Sequence, residues 1–343
     1  MKRLKKYCTV CSLLLIVGIL FIQPVSAQLI PNLGGQRAGI AAFQFLKIGV
    51  GARGTALGES FVAVANDASA LYWNPAGLVQ FSDNQVFVAH TWYVVDLDHD
   101  YVGGVYHLSA NDALGFSITS LRTEDMEITT ETQPFGTGRY FSFGDIALGL
   151  SYARKMTDQF SFGVTARYVE ETLDILKMRG LLVDLGTYYW TGIGSSRFAV
   201  VVSNFGSDVA PSGDVTLYNG STVSSFQSFS PPTQFKLGFA FEPMQTDEQR
   251  VTTSIELNHP NDNAENVHVG VEFEWRKLLT LRAGTKRTIG EPLFGEDNSS
   301  SASFTAGFGV TAPIAERNFF FDYAFQNYGK LGGVHKISLG VPF

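Results

Sequence analysis

The sequence predicts an all-β protein: a transmembrane β-barrel of about 14 antiparallel strands with an N-terminal hatch in its lumen. From about Gln85 onward, large apolar side chains recur at every second position, with Gly, Ser, Thr or charged residues between them. Strand side chains have a period of two, so each segment has one apolar face and one mostly polar face. The composition agrees, because 28 Phe and 35 Gly accompany only 17% charged residues. Strands with so aromatic a face are typical of barrels that meet lipid.

Residues 1–27 are expected to be a secretory signal peptide. Four basic residues precede an apolar stretch over residues 9–22, and small residues before position 28 suit a signal peptidase. An uncleaved anchor helix is the alternative, but the apolar stretch is short. Both cysteines, Cys8 and Cys11, lie in this segment, so we expect no disulfide and no Cys-ligated metal in the mature chain. Cleavage also makes the net charge of −7 four units more negative, which disfavours a nucleic-acid partner.

Residues 28–84 are expected to form the hatch. They are rich in Gly and Ala, and we expect a helix from about Thr55 to Ala65 within them. Glycines in the first part of this segment let the backbone pack closely inside a barrel wall. The Asn74-Pro75 turn then ends the segment before the first strand.

Residues 85–343 are expected to form the barrel. In one representative segment, Val267, Val269 and Val271 alternate with His268 and Glu272. Fourteen such segments follow one another. They cover residues 85–95, 100–109, 113–122, 144–155, 159–171, 178–190, 196–205, 232–242, 250–258, 265–275, 278–288, 302–312, 317–327 and 333–343.

The connections between these segments give an independent indication of the fold. Long connections are expected at residues 123–143, 206–231 and 289–301, and all three fall on odd-numbered hairpins. Bacterial barrels have short periplasmic turns and longer outer loops on alternating hairpins. The pattern therefore predicts an outer-membrane barrel with both termini in the periplasm. A soluble periplasmic β-sandwich is the alternative, but it has no reason to segregate its long loops.

Ten charged side chains are expected to point into the lumen if the aromatic face meets lipid. A charge that faces lipid at the midplane costs about 2–4 kcal/mol, so this register is strongly favoured. Charges of both signs suit ion pairs that hold a hatch in a hydrated, plugged lumen, and a substrate-conducting path is the alternative. The ten residues are Arg167, Asp184, Lys236, Glu256, Glu272, Glu274, Arg282, Lys286, Asp322 and Lys336.

Two short motifs resemble ligand-binding sequences but lack the surrounding sequence features that such sites require. Residues 49–54 spell a dinucleotide fingerprint, yet antiparallel hairpins follow instead of the required βαβ unit. Asp96, Asp98 and Asp100 alternate like the start of a calcium loop, but Tyr101 replaces the expected glycine. A solvated hairpin is the preferred interpretation, with a weak calcium site as the alternative. No catalytic set, metal site or cofactor site can be assembled, so we do not expect an enzyme.

The stretch from Phe45 to Leu78 carries a resemblance to a known family. Its matching motifs are Gly51-Ala52-Arg53, Asn66-Asp67-Ala68 and Trp73-Asn74-Pro75-Ala76-Gly77. In them the chain resembles the PorV/PorQ family of outer-membrane barrels, which is related to the FadL fatty-acid transporters. The resemblance implies 14 strands and a hatch folded into the lumen. The hatch residues to which it points are Gly51, Arg53, Gly54, Gly58, Asn66, Asp67, Trp73, Asn74, Pro75 and Gly77.

The resemblance also implies what the protein does. The first implied function is a non-enzymatic role in protein secretion of the type IX kind, through binding of secretion-system proteins or secreted cargo. The alternative is FadL-like transport of a hydrophobic molecule, for which we expect a gap lined by the loop aromatics Phe226, Phe229, Phe294 and Tyr218. The last strand ends at Phe343, which resembles the C-terminal aromatic signal for the assembly of outer-membrane barrels. In the outer membrane, lipid is a further expected partner.

Overall fold

The computed structural model describes residues 39–217, 219–289, 303–314 and 317–343. The expected signal peptide and the first part of the expected hatch lie outside the described residues. Within the described residues, 14 strands form a closed antiparallel barrel, which confirms the predicted fold class.

The strands have the following bounds in chain order. They are β1 Gln85–Trp92, β2 Asp98–His107, β3 Asp112–Arg122, β4 Met126–Glu127, β5 Tyr140–Phe141, β6 Phe143–Lys155, β7 Phe160–Leu173, β8 Leu176–Trp190, β9 Arg197–Gly206, β10 Val215–Thr216, β11 Thr222–Val223, β12 Gln234–Gln245, β13 Gln249–Pro260, β14 Asn266–Trp275, β15 Leu279–Thr288, β16 Ser303–Ile314, β17 Arg317–Asn327 and β18 Gly333–Pro342. The short strands β4 and β5 pair only with each other, as do β10 and β11, and all other strands belong to the barrel.

Closure of the barrel comes from the pairing of β1 with β18. Gln85 lies opposite Pro342 and Trp92 lies opposite His335, so the two strands are in register along the whole of β1. Lipid offers no hydrogen bonds to an open sheet edge, and this pairing leaves the wall without one. Pro342, which cannot donate to the ladder, sits at the very end of β18, where the cost of the missing N–H is small.

The two faces of the wall have opposite chemistry. Phe116, Leu237 and Ile255 are 50%, 44% and 48% exposed, whereas their chain neighbours Lys236 and Glu256 are buried. The outer surface is therefore apolar and the inner surface carries the charges, as the alternation predicts. No helix in the described part of the chain is long and apolar enough to cross a membrane.

Residues 39–84, which we call the lumenal segment, pack against the inner face of the wall. It contains the 3₁₀-helices Gln44–Lys47 and Pro75–Val79 and the α-helices Ala52–Ala56 and Ala70–Trp73. Further 3₁₀-helices, Val94–Asp96 and Gly329–Leu331, lie in connections between strands. The core cluster joins Phe61, Leu71 and Trp73 of this segment to Phe87, Tyr101 and Tyr188 of the wall.

The expected helix from Thr55 to Ala65 is wrong in its extent. The observed helix ends at Ala56, and Gly58 and Glu59 have φ values of 67° and 66°, outside the right-handed helical region. Gly58 also lies so close to β15 that a Cβ there would be 2.5 Å from the backbone nitrogen of Thr285. Contact with the wall therefore overrides local helix propensity, because the chain has to turn where it meets β15.

The three long connections follow β3, β9 and β15, and these three strands all finish at the same end of the barrel, as the sequence predicts. The connection after β3 contains the β4–β5 pair, and the connection after β9 contains the β10–β11 pair. The latter folds back onto the lumenal segment, where the Ala42 N–H donates to the carbonyl of Ser230 at 3.0 Å. Which end faces the periplasm stays a prediction.

Candidate functional site in the lumen

Trp73 organises the centre of the lumenal segment. Its indole N–H donates to the carbonyl of Val50 at 2.9 Å, and its ring meets the ring of Phe61 edge-on at 5.8 Å. Gly54 lies flat against the indole, where a Cβ would come within 2.7 Å of the ring. The absence of a side chain at position 54 therefore makes room for the indole of Trp73, and the segment is closely packed at this point.

The Asn74-Pro75 turn ties the lumenal segment to β7 and β8. The Asn74 amide donates to the carbonyl of Thr187 at 3.2 Å and to that of Val62 at 2.9 Å. The side-chain oxygen of Asn74, Oδ1, accepts from the Ala76 N–H at 3.0 Å and caps the following 3₁₀-helix. Pro75 lies against Gly163 of β7, where a Cβ would be 2.3 Å from the Pro75 backbone. Gly77 is similarly confined, since a Cβ there would be 2.6 Å from the carbonyl oxygen of Ala65.

Arg53 links the lumenal segment to β14. Its guanidinium donates to Glu272 at 3.0 Å and to Asp67 and Asn66 at 2.7 Å each. Burial alone would lower the pKa of Arg53, but the carboxylates of Glu272 and Asp67 keep it well above its ordinary value. Arg53 lies in the α-helix Ala52–Ala56. Gly51 is the N-cap of this helix and has a φ of 77°, a conformation that favours glycine.

The same Glu272 carboxylate joins Arg53 to two further wall charges. Arg282 of β15 donates to Glu272 at 2.7 Å and to Asp322 of β17 at 2.5 Å. All three wall residues are buried. Two arginines thus face two carboxylates across β14, β15 and β17, with Asp67 completing the set, so each buried charge has an opposite charge beside it.

Glu59 and Lys286 form a second link, between the lumenal segment and β15. The Lys286 ammonium donates to Glu59 at 2.8 Å. Burial would raise the pKa of Glu59, but Lys286, together with smaller contributions from His268 and Lys336, outweighs burial and lowers the pKa from 4.5 to about 2. Nearby, Lys336 of β18 donates to the carbonyl of Gly49 at 2.6 Å and is itself fully buried.

This low pKa makes the Glu59 link dependent on pH. A carboxyl group whose pKa falls on folding stabilises the fold above its unfolded pKa and loses that effect as the pH drops through the folded value. We therefore expect Glu59→Gln to be less stable than the wild type at neutral pH, and the difference to vanish as the pH approaches 2. Thermal unfolding in detergent across this pH range measures it, and a difference that is constant with pH would contradict the prediction.

The remaining lumenal charges contact the segment or one another. Glu256 accepts from the backbone N–H groups of Phe61 and Val62 at 3.0 and 3.2 Å. The Lys236 ammonium lies 5.4 Å from the centre of the Trp73 ring. Glu274 accepts from Arg250 at 2.8 Å.

Arg167 and Asp184 stabilise an irregular part of the wall. Asp184 lies where the register between β8 and β9 shifts, and it accepts from the Arg167 guanidinium and from the Asn204 N–H, each at 2.6 Å. Arg167 also donates to the Asn204 side chain at 3.1 Å. The polar groups freed by the β-bulge are thereby satisfied inside the wall.

Two cavities lie at opposite ends of the barrel and share no lining residue. The first, of about 150 Å³, lies where β1 begins and is lined by Arg53, Glu272 and Asp322 among others. The second, of about 300 Å³, lies at the end with the long connections and includes Lys236 and Lys286. The lumenal segment contributes to both, so it separates them.

The other residues singled out in the sequence have separate surroundings. Asp100 pairs with His90 at 2.7 Å and with Arg122 at 3.1 Å, and Asp98 lies 3.8 Å from His90. Asp96 ends a 3₁₀-helix in the same hairpin. Among the described residues, no cluster of three His, Cys, Asp or Glu side chains could hold a metal ion. The Phe343 N–H donates to the carbonyl of Asn84 at 2.9 Å, and its role in assembly stays a prediction.

Two residues that position the lumenal segment were not singled out from the sequence. Glu59 pairs with Lys286, and Gln85 accepts from the Ala68 N–H at 2.6 Å. A signal for Glu59 was present, because it is the sole acidic residue between positions 39 and 66. A lone carboxylate in so apolar a stretch indicates a buried, paired charge.

The fold is shared with hydrocarbon channels of known structure. No curated protein sequence matches the chain. The CymD monoaromatic hydrocarbon channel superposes with a TM-score of 0.59 at 16% identity, over 86% of this chain and 98% of that one. The toluene transporter TodX of Pseudomonas putida gives a TM-score of 0.56 at 14% identity, over 85% of this chain and 96% of that one. At such identities the likeness concerns the fold alone.

A family relationship is visible in the sequence as well. The family model of the type IX secretion system protein PorV matches residues 33–261, which is more than half of the chain and includes the stretch from Phe45 to Leu78. The resemblance in that stretch is thereby confirmed. This chain, an outer-membrane β-barrel, therefore belongs to the PorV family.

Proposed function

We propose that this protein is a non-enzymatic outer-membrane barrel that serves protein secretion by binding a secretion-system protein or secreted cargo. The observation that carries the proposal is the attachment of the lumenal segment to the inner face of the wall. The lumenal segment is bonded to opposite sides of the wall, to β16 where the Thr305 hydroxyl donates to the carbonyl of Ala56 at 2.9 Å, and to β8 through Asn74. A barrel built in this way is suited to presenting its surfaces, and the PorV family match supports a partner from secretion.

In this proposal the termini lie in the periplasm and the long connections face the exterior. The connection over residues 123–142 offers an exposed apolar surface there. Phe135 is 98% exposed, and Tyr140 and Met126 in the same connection are 59% and 37% exposed. Aromatic side chains presented this openly are typical anchors of protein–protein interfaces.

We expect Phe135→Asp to reduce recovery of the secretion partner roughly tenfold, because loss of a central aromatic anchor commonly costs 1–2 kcal/mol or more. Barrel stability should not change, since the side chain contacts almost nothing in the fold. The measurement is affinity purification from native membranes with quantitative mass spectrometry. Val95→Asp is the matched control, as Val95 is 80% exposed in another hairpin at the same end. Equal recovery with both variants would place the interface elsewhere.

The proposed function itself is tested by removing the gene from its native host and comparing secreted proteins by mass spectrometry. The expected result is loss of a set of secreted proteins, restored by the wild-type gene. Unchanged secretion would refute the proposal.

Transport of a hydrophobic molecule is the second candidate, favoured by the fold shared with the hydrocarbon channels. The loop aromatics expected to line its path lend it little support. Phe229 packs against the apolar cluster around Phe43, and Tyr218 and Phe294 lie outside the described residues. Loss of monoaromatic hydrocarbon uptake with intact secretion in the same deletion strain would make transport the better assignment.

A further inference from the structure

The cavity at the end with the long connections contains a buried cation without an ionic partner. Lys236 is only 6% exposed, and no carboxylate lies within ion-pair distance of it among the described residues. Its ammonium lies instead over the rings of Trp73 and Tyr72, at 5.4 and 5.9 Å. A buried ammonium is costly unless an opposite charge or hydrogen-bond acceptors reach it.

Polar groups on β13, β14 and β17 line the same cavity as this ammonium. Asn258 lies directly opposite Lys236 in the β12–β13 register, and His268 lies directly opposite Lys286 in the β14–β15 register. Opposed side chains of this kind have Cβ atoms about 4.5–5.5 Å apart. Within the described part of the chain, the Oδ1 atom of Asn258 and both ring nitrogens of His268 are buried without hydrogen-bond partners, as is Oε1 of Gln326.

Two of the carboxylates near the cavity pair with other lysines, and Glu256 keeps one oxygen, Oε1, without a hydrogen-bond partner among the described residues. Glu59 accepts from Lys286, and Asp262 accepts from Lys47. Glu256 directs one oxygen at two backbone N–H groups of the lumenal segment. Among the described residues Lys236 therefore has no ion pair, and the cavity that it lines also holds groups that can donate to and accept from a guest.

We propose that this cavity binds a small hydrophilic oxyanion, a phosphate or a carboxylate that also carries hydroxyl groups. Lys236 would hold the charged oxygens, and Asn258, His268 and Gln326 would pair with the remaining polar atoms. The volume of about 300 Å³ exceeds that of a single water, about 30 Å³ in the liquid, by enough to accept a ligand the size of a sugar acid. The site does not depend on the proposed secretion role.

The proposal is tested by calorimetric titration of the full mature protein in detergent with inorganic phosphate and with glucuronate, which separate the two sources of the oxyanion. Binding of either supports the site. Uncharged glucose of similar size should not bind. Lys236→Met should weaken anion binding at least about tenfold, because a charged hydrogen bond to the anion is lost. Lys236→Arg should restore it, and Lys277→Met, at an exposed turn at the other end, should leave it unchanged.

Asn258→Asp gives a second test that does not depend on tolerance of a lost lysine. It places a carboxylate directly opposite Lys236. Anion binding should then disappear while the melting temperature stays the same or rises, because Lys236 gains an internal partner. Absence of binding by both anions, equal binding of glucose, or unchanged affinity in Lys236→Met would overturn the proposal.

Discussion

Glu272→Ala is expected to lower the free energy of unfolding by about 3 kcal/mol, the lower end of the cost of breaking a buried ion pair, since Arg53 and Arg282 keep Asp67 and Asp322 as partners. Here one substitution deprives both Arg53 and Arg282 of their shared carboxylate. The loss affects the wall between β14 and β15 and the link from the wall to the lumenal segment. Thermal unfolding in detergent, followed by circular dichroism and by the heat-dependent gel mobility of the barrel, measures it.

Glu248→Ala is the matched control for this prediction. Glu248 also pairs with an arginine, Arg276, at 3.2 Å, but both side chains are more than half exposed. Exposed pairs of this kind contribute about 0–1 kcal/mol, so the control should unfold close to the wild type. If Glu272→Ala unfolded at the same temperature as Glu248→Ala, the buried network would have no role in stability.

Gly284→Ala is expected to displace the lumenal segment and make the barrel leaky. A Cβ on Gly284 would lie 2.2 Å from the nitrogen of Gly58 and 2.2 Å from the carbonyl carbon of Leu57. Both are backbone atoms, so a rotamer change cannot relieve the clash. Overpacking of this kind costs about 1–3 kcal/mol, and here displacement of the segment is the available relief. Liposome swelling in a small sugar, or cell sensitivity to a polar antibiotic, measures the permeability.

Gly104→Ala is the control, because a Cβ on Gly104 would have no neighbour within 4 Å. Both substitutions add one methyl group to a barrel strand, but the methyl group on Gly104 lies on the outer face with Val102 and Tyr106, whereas the one on Gly284 meets the lumenal segment. A Gly284→Ala barrel as tight as the control would show that the segment does not seal the lumen.

The wall was predictable because its cause is local. Alternation along each strand depends only on which solvent each face meets, so Phe116 and Leu237 point outward and Glu272 and Lys236 inward without reference to distant residues. The long connections were predictable for the same reason, since glycine-rich and polar stretches interrupt the alternation.

The pairing inside the lumen was not predictable from one sequence. Glu59 and Lys286 are separated by 227 positions, and nothing in the residues near either one names the other. The expected helix from Thr55 to Ala65 failed similarly, because close contact between Gly58 and Thr285 overrides what the local sequence favours. The hatch motif was recognised by resemblance, whereas its contacts required the assembled wall.

The β1–β18 seam has a consequence for biogenesis. The lumenal segment is synthesised before the strands of the wall. β1 cannot pair with β18 until β18 has been synthesised. The lumenal segment is therefore available to pack against the early strands before the seam forms. The strands of the wall can thus assemble around a segment that was synthesised before them.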